Sequence, residues 1–289
     1  MEAPREVRSD TPPLAAEALV TGATNGIGKE VARALLRRGM TVGIVARQPE
    51  KGEQVAAELA PAGGRVELLV ADLTLQSEVR RLAGEVRDLL PRLAVLVNNA
   101  GALHGERRVT ADGIESTFAL NHLGYFLLTR ELEPVLRANP PARIVNVASA
   151  VHSTARLDFD DLMSERGYSA MRAYARSKLA NVLFTYELAR RLDPSVVTAN
   201  CLHPGVVATG FGRGGGPTFA TLYEVGKPFM RSPERGADTA VWLATDPALA
   251  GVSGKYFVDR RAVRSSDASY DLELGRRLWQ ASERLVDHG

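Results

Sequence analysis

Residues 18–39 read ALVTGATNGIGKEVARALLRRG and combine, in order, a short apolar run, a glycine-rich turn and an amphipathic segment. The apolar residues of the last part recur at helical spacing, and Gly39 predicts where that helix ends. The alternation continues along the chain, with helical segments separating the apolar runs TVGIVAR, RVELLV, LAVLV, RIVNVAS, VVTANCL and GKYFV. Strands that are apolar throughout are typical of a parallel sheet covered on both faces. We therefore predict a doubly wound α/β fold with six to seven strands.

The bulk properties of the chain indicate one domain that works without nucleic acid or membrane. No linker or shift in composition divides residues 14–289, whereas residues 1–13 carry charges and prolines and are predicted to form a flexible tail. The net charge is +2 and the arginines are scattered, so no nucleic-acid partner is expected. Apolar runs are far shorter than the roughly 20 residues that cross a bilayer, so no membrane span is expected. The single Cys201 favours a reducing compartment, and we expect a cytoplasmic protein.

The turn TGATNGIG stands where the first strand of such a fold meets its first helix. Glycines let a backbone turn tightly and approach phosphate groups, which helix N-termini attract. The spacing is G-x-x-x-G-x-G, and the alternative is that these glycines only make a tight turn. The flanking strand and helix favour a dinucleotide site, with these candidate cofactor contacts: Gly22, Asn25, Gly26, Ile27 and Gly28.

The end of the second strand indicates which nicotinamide cofactor binds. An acid at this place would bond a ribose 2′-hydroxyl, whereas an arginine would accept a 2′-phosphate. The chain reads Val45-Ala46-Arg47 and has no acid until Glu50. We therefore predict NADP(H), with Arg47 bonded to the extra phosphate. The alternative is that Arg47 is one of many surface arginines.

Tyr174 and Lys178 are four residues apart in a segment of helical periodicity and share one helix face. A free phenol has a pKa of roughly 10 and is a poor acid or base at neutral pH. A fixed ammonium one turn away would stabilise the phenolate and lower that pKa. The spacing alone is weak, because such pairs are usually on solvated helix faces.

Several motifs occur together in one order, and together they resemble the short-chain dehydrogenase/reductase family. They are TGATNGIG, Asn98-Asn99-Ala100-Gly101 after the fourth strand, Ser149 after the fifth, and Tyr174-x-x-x-Lys178. The resemblance covers nearly all of the chain from Ala18. The longer strings NHLGYFLLT, RIVNVASAVH, YARSKLANVLFTYELARRL, LHPGVV and SGKYF resemble the retinol dehydrogenase-like branch.

The resemblance implies a role for each matching residue. Tyr174 would exchange a proton with the substrate oxygen and also contact the cofactor, and Lys178 would lower the Tyr174 pKa and bond the nicotinamide ribose. Ser149 would hold the substrate oxygen, and Asn121 would hold a water linking Lys178 to solvent. The remaining cofactor contacts would be Asp72 and Leu73 at the adenine, Asn99, Ala100 and Gly101 at the ribose, and Pro204, Gly205, Val207 and Thr209 at the carboxamide.

Several of these residues also have plain structural readings. Ser149 could bond local backbone, Asp72 could begin a turn or cap the following helix, and Asn121 could be an ordinary polar residue. Ser149 with His152 could indicate a hydrolase, but VASAV lacks the G-x-S-x-G motif. Other conspicuous residues are predicted to be structural: Cys201 in a buried strand, His203 in a loop, and Trp242 and Trp279 in packing.

These features lead to the hypothesis of an NADP(H)-dependent oxidoreductase that interconverts a small apolar carbonyl compound and its alcohol. A substrate loop is predicted at residues 208–232, where glycines lie beside bulky apolar groups. The alternative is a non-catalytic NADP(H)-binding sensor or scaffold, whose usual mark, loss of the Tyr or Lys, is missing. A sugar-nucleotide epimerase or dehydratase would carry a tighter glycine spacing. The resemblance also implies a homodimer or homotetramer, and the N-terminal membrane anchor of several relatives is not seen in the sequence.

Overall fold

The structure is a computed structural model that describes residues 16–207 and 230–287. One sheet runs through these residues in the order β3-β2-β1-β4-β5-β6-β7-β8. Its strands are β1 Glu17–Thr21, β2 Thr41–Ala46, β3 Arg65–Val70, β4 Leu93–Asn98, β5 Ala142–Val147, β6 Val197–His203, β7 Tyr256–Val258 and β8 Arg261–Val263. The first seven pair in parallel, and this confirms the predicted doubly wound parallel sheet.

The eighth strand is one more than the six to seven that the sequence predicts. β8 pairs antiparallel with β7 through a two-residue turn at Asp259 and Arg260, which both have positive φ. Such a left-handed pair matches the twist of a tight hairpin. The strand itself is three exposed residues, so it has no apolar run that a sequence pattern could reveal.

Helices cover both faces of the sheet. Their bounds are α1 Gly26–Leu36, α2 Pro49–Leu59, α3 Gln76–Leu89, α4 over residues 116–138, α5 Ala170–Arg191, α6 Pro233–Thr245 and α7 Leu272–Asp287. The predicted stop at Gly39 lies just after α1, where the Gly39 N–H donates to the Leu36 carbonyl over 2.8 Å. α4 is not a uniform helix: the turn Ser116–Phe118 leads into a π-helical segment, Ala119–Leu123, before the α-helix Gly124–Ala138.

Alternate residues along each strand point to opposite faces and build two cores. We call the side covered by α1, α2 and α6 the α1 face; its core includes Val20, Ile44 and Val97. We call the side covered by α3, α4, α5 and α7 the α5 face; its core includes Leu19 and Leu96.

The strand order sets where a site can form. β1 pairs with β2 on one side and with β4 on the other, so the chain reverses its direction of travel across the sheet there. In open α/β sheets a ligand crevice opens at this switch point, beyond the carboxyl ends of the strands.

Candidate active site

A cleft of about 900 Å³ opens at the switch point. Most residues that the sequence singles out line it: Gly22, Asn25, Ile27, Arg47, Asp72, Leu73, Asn99, Ala100, Gly101, Ser149, Tyr174, Lys178, Pro204, Gly205 and Val207. Gly26, Gly28 and Asn121 are not in its lining. Thr209 lies outside the described residues, as does the predicted substrate loop except for residues 230–232.

The N-terminus of α1 faces this cleft without a side-chain cap. Asn25, its N-cap residue, is extended and makes no capping hydrogen bond from its side chain, and the first turn contains no acidic residue. The first N–H groups of a helix have no partner within the helix, and its positive dipole end attracts anions. This end of the cleft therefore suits a pyrophosphate.

The glycines allow the turn to pack directly on the end of β4. A Cβ at Gly28 would lie 2.4 Å from the Gly22 carbonyl oxygen and 2.4 Å from the Asn99 Nδ2. Gly22 has φ +65°, and a Cβ there would lie 2.7 Å from the Ala100 Cα. Neither position has room for a side chain, so these glycines fix the width of the cleft.

Thr21 joins the ends of β1 and β4 at this point, although the sequence analysis did not single it out. Its hydroxyl oxygen accepts hydrogen bonds from the backbone N–H of Asn99 over 2.9 Å and of Ala100 over 3.0 Å. The Asn99 amide donates in turn to the carbonyls of Thr21 and Gly22, over 2.9 and 3.2 Å. A hydroxyl residue that ends a buried strand was the only signal available in the sequence.

Two cations line the cleft where the second strand ends. Arg47 is exposed there, and Lys51, which the sequence analysis did not single out, follows in the first turn of α2. Asp72 also lines the cleft, but its Oδ1 accepts hydrogen bonds from the Thr74 backbone N–H over 2.9 Å and from its hydroxyl over 2.7 Å. The turn-forming alternative for Asp72 is therefore present, together with its place beside the cleft.

Tyr174 and Ser149 meet at the other end of the cleft. Ser149 follows β5 in extended conformation, and Tyr174 lies in the second turn of α5. Burial raises the pKa of Tyr174 to about 12, and a hydrogen bond with the Ser149 side chain acts in the opposite direction. The two side chains that the resemblance assigns to the substrate oxygen are therefore adjacent.

Lys178 lies beneath them and is only 3% exposed. Its Nζ donates to the Val147 carbonyl over 2.8 Å and lies 5.7 Å from the centre of the Tyr174 ring. Burial lowers the pKa of Lys178 to about 7. The expectation that Lys178 lowers the Tyr174 pKa is not met in the protein alone: desolvation dominates both groups, and a lysine with that pKa is only partly charged at neutral pH.

Asn121 lies in the π-helical segment and is fully buried. Its Nδ2 donates to the Ala102 carbonyl and to the Ser177 hydroxyl, each over 3.0 Å, and its Oδ1 accepts from the Ala102 N–H over 2.8 Å. These bonds tie α4 to the loop after β4 and to α5. Both amide hydrogens of Asn121 are thus used. That Asn121 holds a water stays a prediction, and its amide oxygen Oδ1 would be the atom that accepts from this water.

The remaining conspicuous residues are mostly structural, as predicted. Cys201 is buried in β6, Trp242 packs on Phe257 with ring centres 5.5 Å apart, and Trp279 packs on Phe126 at 5.0 Å. His203 is an exception, because it ends β6 instead of lying in a loop, and it lines the cleft.

The described residues contain neither a metal-binding group of side chains nor a helix that could cross a membrane. Within residues 16–207 and 230–287, His, Cys, Asp and Glu side chains do not gather in a group of three or more that could hold a metal ion. Of the helices in the same residues, none has both the length and the apolar character needed to cross a membrane.

Sequence comparison agrees with this geometry. The profile of the short chain dehydrogenase family matches residues 16–215. Mouse (Mus musculus) retinol dehydrogenase 14 is 40% identical over 286 residues, which cover 93% of this chain and 85% of that protein. The proposed daunorubicin C-13 ketoreductase DnrU of Streptomyces sp. (strain C5) is 42% identical over 270 residues, covering 93% of this chain and 91% of DnrU.

Solved structures give the same result. A protein of uncharacterised function from Mycobacterium paratuberculosis superposes with a TM-score of 0.75 and 33% identity, covering 94% of this chain and 93% of that one. RhlG of Pseudomonas aeruginosa, solved as an NADP active-site complex, superposes with a TM-score of 0.67 and 30% identity, covering 85% and 95% of the two chains. The family profile covers most of the chain and the relatives share about 40% identity along it, so the chain belongs to the short-chain dehydrogenase/reductase family, in its retinol dehydrogenase-like branch.

Proposed function

We propose that this protein is an NADP(H)-dependent oxidoreductase that interconverts an apolar carbonyl compound and its alcohol, with Tyr174 as the general acid/base. The observation that carries the proposal is the adjacency of Tyr174, Ser149 and Lys178 at one end of the cleft. Relatives named as retinol dehydrogenases and as a ketoreductase support the reaction class.

The protein's own groups account for the proton and for the position of the oxygen. When bound, the nicotinamide donates or accepts the hydride. Tyr174 donates its phenolic proton to the carbonyl oxygen in reduction, and the raised pKa keeps that proton in place at neutral pH. The Ser149 hydroxyl holds the same oxygen and stabilises the charge that develops on it. A protonated Lys178 beside the phenol favours loss of the proton.

The cleft also supports the choice of cofactor and substrate. The glycine turn and the uncapped N-terminus of α1 would hold the pyrophosphate, and Arg47 and Lys51 would bond the 2′-phosphate. RhlG, a structural relative, was solved with NADP. Apolar side chains in the cleft lining favour an apolar substrate: Leu103, Leu120, Val151, Met171 and Met230.

The first experiment follows NADPH consumption with a panel of apolar aldehydes and ketones, retinal included, in the wild type and in Tyr174→Phe. We expect the variant to lose about 10²- to 10⁴-fold in kcat, the usual contribution of a general acid. Its Kd for NADPH should stay within about threefold of the wild-type value, because the phenol is not expected to contact the phosphates of the cofactor. Tyr270→Phe, at an exposed tyrosine, is the matched control.

Equal turnover in Tyr174→Phe and wild type would disprove the assignment of the general acid. NADPH binding without turnover of any carbonyl in the wild type would instead favour the non-catalytic sensor.

The NADP(H) assignment is tested by Arg47→Asp and Lys51→Ala. Each removes a charge-assisted hydrogen bond worth roughly 1.5–3 kcal/mol, so we expect the Kd for NADPH to rise about tenfold or more in each, with little change for NADH. Arg38→Ala, at an exposed arginine after α1, is the control. An unchanged ratio of NADPH to NADH affinity in both variants would show that another part of the chain selects the cofactor.

The assembly and the substrate loop complete the proposal. We expect a homodimer or homotetramer, measured by light scattering in solution. Deleting part of residues 208–229 should impair turnover more than NADPH binding, and the opposite result would refute the substrate loop.

A further inference from the structure

His152 lies outside the cleft lining, yet it touches the residue that carries one of the proposed catalytic hydroxyls. It is 3% exposed and belongs to the 3₁₀-helix Ala150–Thr154, which starts directly after Ser149. The backbone N–H of Ser266 lies 3.1 Å from its Nε2. A backbone N–H can only donate, so Nε2 must accept, and a neutral imidazole then carries its proton on Nδ1.

The geometry around Ser149 fits this tautomer. His152 Nδ1 lies 2.7 Å from the Ser149 carbonyl oxygen, which also accepts the His152 backbone N–H over 3.2 Å. Two donors of one residue therefore hold the same carbonyl. Burial lowers the pKa of His152 and keeps the ring neutral, as both of its hydrogen bonds require.

The other side of the ring is anchored to distant parts of the chain. Ser265, next to Ser266, shares a hydrogen bond of 2.7 Å with the Tyr186 hydroxyl on α5. The His152 ring packs on Tyr256 of β7 with ring centres 4.9 Å apart. His152 thus connects the backbone of Ser149 to α5 and β7, and its orientation is fixed from both sides.

We propose that His152, as the Nδ1–H tautomer, is a positioning residue that fixes the Ser149 backbone and thereby holds its hydroxyl against Tyr174. The inference rests on the proposed function, in which the Ser149 hydroxyl holds the substrate oxygen. The hydrogen bond from Nδ1 is the essential one, and the bond from Ser266 selects the tautomer that can make it.

Two variants separate the two ring nitrogens. The amide of His152→Asn reaches the place of Nδ1 and can still donate to the Ser149 carbonyl, whereas that of His152→Gln reaches the place of Nε2 and cannot. We expect His152→Gln to lose roughly tenfold in kcat, about one hydrogen bond in free energy, with little change in the KM for NADPH. His152→Asn should keep kcat within about threefold of the wild type. Equal losses in the two variants, or the larger loss in His152→Asn, would overturn the proposal.

A double-mutant cycle shows whether the effect passes through Ser149. In a Ser149→Ala background His152→Gln should change kcat by less than about twofold, because the hydroxyl that it positions is gone. The same tenfold loss in that background would mean that His152 only supports the fold.

The tautomer itself is measurable without turnover. Long-range ¹H–¹⁵N NMR of the wild type should show His152 Nδ1 protonated and Nε2 free, and the reverse pattern would refute the proposal. Ser266→Pro removes the N–H that selects the tautomer, at a residue whose φ of −64° suits proline, while Ser266→Ala keeps it. We expect the tautomer signature to weaken only in Ser266→Pro. If the wild type reduced no carbonyl, the proposed function would fail, while these spectra would still decide whether His152 is the Nδ1–H tautomer that holds the Ser149 carbonyl.

Discussion

The two faces of the sheet differ in the side chains that they bury. The α1 face is packed largely from aliphatic side chains such as Val20, Ile44, Val97 and Val145. On the α5 face the last inward-pointing residues of the same strands β4 and β5 are instead the buried amides Asn98 and Asn146. Only the α5 face carries the proposed catalytic tyrosine and lysine, on α5. Polar groups are therefore buried where the chemistry is proposed to occur.

A chain of hydrogen bonds runs through the α5 face. Asn98 Nδ2 donates to Thr129 over 3.0 Å and to Asn146 Oδ1 over 2.9 Å, and Asn146 Nδ2 donates to Thr185 over 2.9 Å. Two buried oxygens on this face have no hydrogen-bond partner among the described residues: Tyr125 Oη and Asn98 Oδ1. Unpaired buried polar groups cost roughly 1–3 kcal/mol each, so the polar groups of this face lower the free energy of unfolding.

Lys178→Met should produce the largest effect. The pKa of Lys178 is about 7 in the folded protein against an ordinary 10.5, so between these values the unfolded chain binds more protons. The free energy of unfolding therefore rises with pH over that range, and the buried lysine destabilises the protein at pH 7. We expect the variant to be more stable by about 2–4 kcal/mol at pH 7 in urea unfolding, and to lose most of its turnover.

The matched control is Lys29→Met, since Lys29 on α1 makes a partly exposed salt bridge of 3.0 Å with Glu58. It should change stability by less than about 1 kcal/mol, as such pairs usually do. A destabilised Lys178→Met that keeps the wild-type pH dependence would show that burial of Lys178 costs nothing, and the difference between the faces would lose its main support.

Gly28→Ala should have the next largest effect, at the start of α1. Its Cβ would lie 2.4 Å from the Gly22 carbonyl oxygen, an atom of the backbone that cannot turn aside. Overpacking of this kind costs about 1–3 kcal/mol, and the displaced turn should weaken NADPH binding about tenfold or more. Thermal unfolding and NADPH titration measure the two effects.

Gly84→Ala provides the control, because in α3 the nearest atom to the added Cβ is the Arg87 guanidinium at 3.9 Å. Replacing glycine within a helix where space is open should stabilise the protein by about 0.5–1 kcal/mol. Equal behaviour of the two variants would mean that the turn at Gly28 can move.

The sequence was sufficient for the fold because seven strands are apolar runs, which is a local signal. It missed β8, whose existence depends on the left-handed turn at Asp259 and Arg260, and the π-helical segment around Asn121, whose register depends on neighbours across the core. For the site, helical spacing placed Tyr174 and Lys178 on one helix face, and the resemblance to the family implied that Ser149 lies beside Tyr174. The sequence did not show that burial raises the Tyr174 pKa in the protein alone, because burial depends on the whole fold.

Other site residues were missed for the same reason. Thr21, Lys51 and His152 act through partners that are close in space and distant in sequence, or through a helix orientation that only the fold defines. Thr21 and His152 lie within the quoted strings TGATNGIG and RIVNVASAVH, but a string does not show which atoms its residues contact.

Asn146→Leu should have the smallest effect on stability and the most informative one for the α5 face. Both neighbours of the lost amide keep a second partner: Asn98 still donates to Thr129, and the Thr185 hydroxyl donates to the Asn181 carbonyl over 2.7 Å. The variant leaves one hydrogen of the Asn98 amide without an acceptor, and the apolar area that the leucine buries offsets part of that cost. We expect a change within about 1 kcal/mol in urea unfolding, with a lower kcat because β5 leads into Ser149.

Asn200→Leu is the matched exchange on the α1 side of β6. The Asn200 amide pairs with the backbone carbonyl of Val252 over 2.7 Å and with the backbone N–H of Lys255 over 3.1 Å. Its removal takes a partner from two backbone groups and should cost about 2 kcal/mol, more than the loss of Asn146. The reverse order would mean that the polar chain of the α5 face stabilises the fold. In that case the buried amides beside the site would stabilise the fold. Lys178 would then be the single polar residue of the proposed site whose burial lowers stability.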